Sequence, residues 1–129
     1  MPAYDSESFH PPAPLAKVTL RHPDTGEIQT DVPMLLDSGA DVTLIPRITW
    51  ELLRETADPN RHYELMGFDG SISYAPVVKL ELSFCQRTFR GQFLLIDQAC
   101  GVLGRNVLNR VPILLDGPRL VWSEYRRSG

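Results

Sequence analysis

The chain of 129 residues has only two cysteines, Cys85 and Cys100. That is too few for a disulfide scaffold, and they lack the short Cys or His spacings of a metal centre. They read as free thiols, buried or partly buried. The three histidines, His10, His22 and His62, are scattered without paired or helical spacing, so all three read as surface or turn residues and no metal is expected. No cofactor is implied either. No apolar run approaches the roughly 20 residues of a membrane span, so no membrane span is expected. Basic excess is missing too: 13 Lys and Arg against 16 Asp and Glu leave a net charge of -3, the opposite of a nucleic-acid footprint. Arg126 and Arg127 form only a short basic end. The opening residues lack a basic stretch followed by an apolar run, so a secretory signal is not expected and the reading places the protein in the cytoplasm.

What is present fits one domain with one core: the length suffices to bury roughly two-thirds of the unfolded surface, and 43% of residues are hydrophobic. Residues 1–14 are rich in proline and small polar side chains and read as an extended arm or a flexible, disordered leader. Residues 15–125 form the expected domain, and residues 126–129 a tail. Val18 and Leu20 alternate with Lys17, Thr19 and Arg21, which predicts a strand with one wet face. Pro23 to Gly26 reads as a turn and Glu27 to Leu36 as a returning strand. Ile48, Leu52 and Leu53 suggest a short helix within Arg47 to Thr56, with Trp50 as packing. His62 to Phe68, Ile72 to Phe84, Thr88 to Ile96, Val111 to Leu115 and Leu120 to Tyr125 read as further strands, and Val107 to Arg110 as a helical turn. The fold class is therefore mostly β, with closely spaced short strands and one or two short helices.

Chemistry concentrates between Leu35 and Pro46. Asp37, Ser38, Gly39, Ala40 and Asp41 are wedged between the apolar pair Leu35 and Leu36 and the apolar run that follows. A carboxylate between two core segments needs hydrogen-bond donors, a proton or a charged partner. Gly39 permits a tight turn and Ser38 offers a hydroxyl to brace it. By itself Asp-Ser-Gly is also an ordinary turn, because each residue favours turn geometry for its own reason. A second conspicuous element runs from Gly101 through Val102 and Leu103 to Gly104, Arg105 and Asn106: two apolar residues, a glycine, a cation and an amide.

Taken together, these two segments resemble the retropepsin family, the single-domain aspartic proteases of retroviral type. Leu35-Leu36-Asp37-Ser38-Gly39-Ala40-Asp41 looks like the catalytic loop of that family. Val102-Leu103-Gly104-Arg105-Asn106 looks like its later apolar-apolar-glycine segment, in the same order and at a similar separation. Gly67, Phe68, Asp69, Gly70, Ser71 and Ile72 fall where the family places its mobile flap, with a sparser glycine pattern. The resemblance implies a closed or semi-open β-barrel, one lobe per chain. It also implies a homodimer, since the chain supplies one catalytic aspartate and peptide hydrolysis by this route uses two carboxylates in different protonation states. Two Asp37 residues meeting on a two-fold axis would share a proton. By the same resemblance Ser38 would bond across the axis and Gly39 would admit the substrate backbone. Asp41 would pair with Arg105, and Gly104, Arg105 and Asn106 would support the loop. The leader and the segment Asp116-Gly117-Pro118-Arg119 depart from the viral pattern, so the strands that knit a dimer are not assigned.

Two functions compete. One is a homodimeric aspartic endopeptidase acting on peptide or protein substrates in extended, largely apolar segments. The other is a catalytically weak peptide-binding or assembly module on the same scaffold, motivated by the sparse flap glycines. A serine nucleophile at Ser38 has no histidine placed to serve it.

Overall fold

Alternating side chains build the core. Along the strand Ile72–Phe84 (β6), Val78, Leu80, Leu82 and Phe84 are at most 4% exposed, while Lys79 and Ser83 between them face solvent. The computed structural model describes residues 1–53, 62–66 and 72–126. Among them the other strands are Tyr4–Asp5 (β1), Ala13–Arg21 (β2), Ile28–Leu36 (β3), Leu44–Pro46 (β4), His62–Met66 (β5), Arg87–Ile96 (β7), Gly101–Leu103 (β8), Ile113–Asp116 (β9) and Val121–Glu124 (β10). Two short helices, Arg47–Leu52 (α1) and Arg105–Leu108 (α2), complete the set.

The large sheet runs β1-β2-β3-β8-β4-β7-β6-β5, and β2 also pairs with β6. That extra pairing closes β2, β3, β8, β4, β7 and β6 into a six-stranded barrel, so the fold class expected from the sequence holds. Closure removes the free edges that an open sheet would leave. Most neighbours are antiparallel, but β3 with β8 and β4 with β7 run parallel. Leu20, Met34, Ile45, Leu82 and Leu103, each fully buried, fill the interior. One residue is added to β3 between the pairs Val18–Val32 and Leu20–Gln29, where Asp31 takes a φ of 56°. The bulge bends the strand and raises its twist.

Several expectations change in detail. The start of the chain is an extended arm paired to the body: Asp5 pairs with Ala13 and Tyr4 with Pro14. The Tyr4 N–H donates to the Leu120 carbonyl (2.8 Å), and the Trp122 N–H to the Pro2 carbonyl (3.0 Å). The buried Trp122 ring also donates its Nε1 proton to the Leu15 carbonyl (2.8 Å). Backbone pairing captures a segment whose side chains show no strand alternation. Helix α1 meets the expectation in part: Trp50 and Leu53 are buried, while Ile48 and Leu52 are exposed. His22, expected at the surface or in a turn, serves the turn and is buried. Its ring stacks on Trp50 with centroids 5.7 Å apart, and its Nδ1 accepts the N–H groups of Asp24 and Thr25. A turn residue can be buried when its side chain serves the turn's own donors. Of the expected tail, residues 127–129 lie outside the described residues.

On the barrel exterior Glu81 binds Arg90 of β7 (2.6 Å) and Arg21 of β2. These two guanidinium groups hold its carboxyl below the ordinary value of 4.5. A carboxyl depressed by folding adds stability above its unfolded value and loses it as pH falls through the folded one. Glu81→Gln is therefore expected to lower the urea midpoint at neutral pH, with a difference that shrinks in acid. Leu82→Ala, at a fully buried barrel position, is expected to cost about 3 kcal/mol in the same measurement.

Candidate active site

The Asp37 loop is fixed first by the parallel ladder beneath it. Leu36 at the end of β3 sits beside Leu103 of β8, and the next N–H, that of Asp37, donates to the Leu103 carbonyl (3.1 Å). The chain then turns sharply. Asp37 Oδ1 accepts the Gly39 N–H (3.0 Å), and the Asp37 carbonyl accepts the Ala40 N–H (3.1 Å). Asp37 is half-buried, while Ser38, Gly39 and Asp41 are exposed. A Cβ added at Gly39 would come within 3.1 Å of Asp37 Oδ1, so glycine keeps the space beside the carboxylate clear.

The second segment clasps this loop from the far side. The Arg105 N–H donates to the Ala40 carbonyl (2.8 Å) and its Nη1 to the Ser38 carbonyl (2.8 Å). Between the two segments lies Thr43, 1% exposed. Its hydroxyl oxygen accepts the Gly104 N–H (3.1 Å) and donates its proton to Asn106 Oδ1 (2.7 Å). Gly104 is itself buried, and a Cβ there would collide with the Val42 backbone. The glycine of the second segment is thus required by close approach of backbone to backbone.

The structure brings Asp37, Ser38, Gly39 and Ala40 together with Gly104, Arg105 and Asn106. It separates one expected couple: among the described residues no ion pair joins Asp41 to Arg105. The Arg105 guanidinium is engaged by the Ser38 carbonyl instead, and Asp41 is exposed. Of the expected flap, Gly67, Phe68, Asp69, Gly70 and Ser71 lie outside the described residues. Ile72 opens β6, opposite Met66 of β5. Thr43 is the residue that sequence reasoning missed. Its signal is a lone hydroxyl inside the apolar run Val42 to Ile45, a position where burial demands a partner. Among the described residues no three His, Cys, Asp or Glu side chains converge as metal ligands do, and no helix is long and apolar enough to cross a membrane.

A closed six-stranded barrel with a half-buried Asp-Ser-Gly turn, clasped by a Gly-Arg-Asn segment opening a short helix, is a retropepsin-like fold. Among solved structures it matches EIAV protease complexed with the inhibitor HBY-793, with a TM-score of 0.54 and 20% identity over 76% of this chain and 86% of that one. No protein-family model and no curated protein matches the chain.

Thr43→Val keeps the shape of the side chain while leaving the buried Gly104 N–H without its acceptor. It is expected to cost about 2 kcal/mol in chemical denaturation, and faster amide exchange at Gly104 locates the loss. Thr43→Ser, which retains the hydroxyl, is expected to recover part of it.

Proposed function

We propose that the chain is an aspartic endopeptidase that acts as a homodimer, each protomer contributing Asp37 to one centre on the two-fold axis. The observation that carries this reading is the clasp on the Asp37 turn. Hydrogen bonds from Asp37, Gly39, Ala40 and Arg105 fix its backbone, while its carboxylate remains accessible. The retropepsin-like fold supports it. A single carboxylate cannot be base and acid in the same step, so the chemistry needs a second copy.

In the dimer the ionised carboxylate takes a proton from water as that water attacks the scissile carbonyl, and the protonated carboxyl polarises the carbonyl oxygen. The resulting tetrahedral species collapses when a proton reaches the leaving nitrogen, releasing amine and acid. Titration belongs to the pair as a unit. Ser38, exposed at the head of the turn, is available to bond across the axis, and Gly39 leaves room for an extended backbone. The segment Gly67 to Ile72 would close over the substrate and exclude water. The substrate class is an extended, largely apolar peptide or protein segment.

Two measurements test this. Asp37→Asn is expected to lower kcat/KM on apolar peptides by about a thousandfold or more while thermal unfolding stays close to that of the parent. Specific activity is expected to fall as the protein is diluted through its dimer dissociation range. Cleavage that survives Asp37→Asn removes Asp37 from the mechanism, and dilution-independent cleavage by a monomer removes the shared centre. Peptide binding by a folded dimer without any turnover would favour a peptide-binding module instead.

A further inference from the structure

Asp5 has no part in the clasp, yet strand register carries it to the end of the sheet from which the Asp37 turn leaves. The β2–β3 ladder ends at Leu15 opposite Leu35, and Ala13 and Asp37 each lie two residues beyond that pair along their own segments. On the other side of β2, Asp5 of β1 is paired with Ala13. Residues directly opposite in a sheet share a face. Asp5 and Ala13 therefore share a face, at the end of the sheet where Asp37 follows β3.

The ground between them is apolar. Leu15, Leu35 and Val102 of β8, which pairs with Leu35, belong to the same face, and each is half-buried, as is Ala13. Their strand neighbours Ala16, Met34 and Leu103 point into the core. A carboxylate thus stands at the rim of an apolar floor next to the start of the Asp37 turn.

That carboxylate is held in its charged form. Asp5 Oδ1 accepts the N–H groups of Glu7 (2.9 Å) and Ser8 (3.1 Å). The Ser8 and Glu7 backbone donors keep its carboxyl below the ordinary range, with a smaller contribution from His10. Its charge also reaches Cys100, the residue before β8. Burial pushes that thiol up and the Asp5 charge adds to the rise, opposed by a hydrogen bond with the Leu35 backbone. Among the described residues no lysine or arginine forms an ion pair with Asp5.

We infer that Asp5 is a specificity residue for the peptidase reading of this site, recruiting a substrate lysine or arginine near the cleaved bond. The side chain lays its apolar stem on the floor formed by Leu35, Ala13 and Leu15, and its cation meets the Asp5 carboxylate at the rim. Lysine and arginine have the matching construction, an apolar stem with a charged tip.

The test uses a panel of extended peptides with one shared apolar core, each carrying arginine, norleucine or glutamate at a single position near the cleaved bond. The full chain is compared with Asp5→Asn, whose side-chain oxygen can still accept the Glu7 and Ser8 N–H groups while the charge is gone. The parent is expected to favour arginine over norleucine about fivefold in kcat/KM at one position, the scale of a partly exposed charge pair. Asp5→Asn should bring that ratio near one and relieve the penalty on glutamate. If the asparagine variant does not fold, Asp5→Ser supplies a second neutral side chain able to accept the same turn. An arginine-to-norleucine ratio that is the same in parent and folded neutral variant overturns the inference and leaves the peptidase reading standing. Failure of the parent to cleave any peptide rejects both.

Discussion

One hydroxyl group holds the chemistry-bearing parts of this chain together. Thr43 receives the Gly104 N–H and gives its proton to Asn106, at a position where no water competes. Both exchanges span the gap between the turn that follows β3 and the segment that follows β8. A buried hydroxyl of this kind is stable only when donor and acceptor capacities are both used. Its geometry therefore fixes the separation of the two backbones closely. Gly104 follows from that separation, because the Val42 backbone occupies the space any side chain would need. Arg105, held at the next position, then reaches the Ser38 carbonyl and braces the turn from outside.

The barrel supplies what the clasp cannot, a rigid floor. The parallel pair β3 and β8 brings Leu36 and Leu103 side by side in the interior and sets Asp37 just past the end of the ladder. Its backbone is anchored there, and its side chain leaves the closed surface of the sheet. The same construction appears one pair further round, where β4 runs parallel to β7 and meets β8 at Leu44 and Val102. Gly101 sits at that crossing, against Met34, Leu44 and Pro46. Gly101 thus marks the place where three strands converge under the loop, and Gly104 the place beside it where two backbones touch.

Much of this was legible in the residues themselves. Period-two alternation located β2 and β6 because one face of each is wet, and the paired motifs around Asp37 and Gly104 pointed to a fold that a 20% identical solved structure shares. What escaped was what depends on partners distant in sequence. The pairing of residues 2–5 with β2 and β10 is made by backbone groups, which carry no side-chain signature. The burial of His22 depends on Trp50, 28 positions away, and on a turn that uses the imidazole as acceptor. Arg105 was expected to seek the Asp41 carboxylate, yet it binds a nearer carbonyl. Sequence can name charges of opposite sign but cannot measure the reach between them. Thr43 looked like part of an apolar run because its neighbours are apolar, although that setting is what obliges its hydroxyl to find partners.

The sequence distance across the clasp has a consequence for how the protein comes into being. Thr43 and the groups it binds are 61 and 63 positions apart, and the parallel pairing of β3 with β8 spans a similar length of chain. Contacts of such long range form late, after the entropy of closing the intervening loop has been overcome. During synthesis, the Asp37 turn leaves the ribosome long before the segment that shapes it. The nascent chain therefore carries the aspartate without its setting, and the arrangement around it exists only once the barrel has shut.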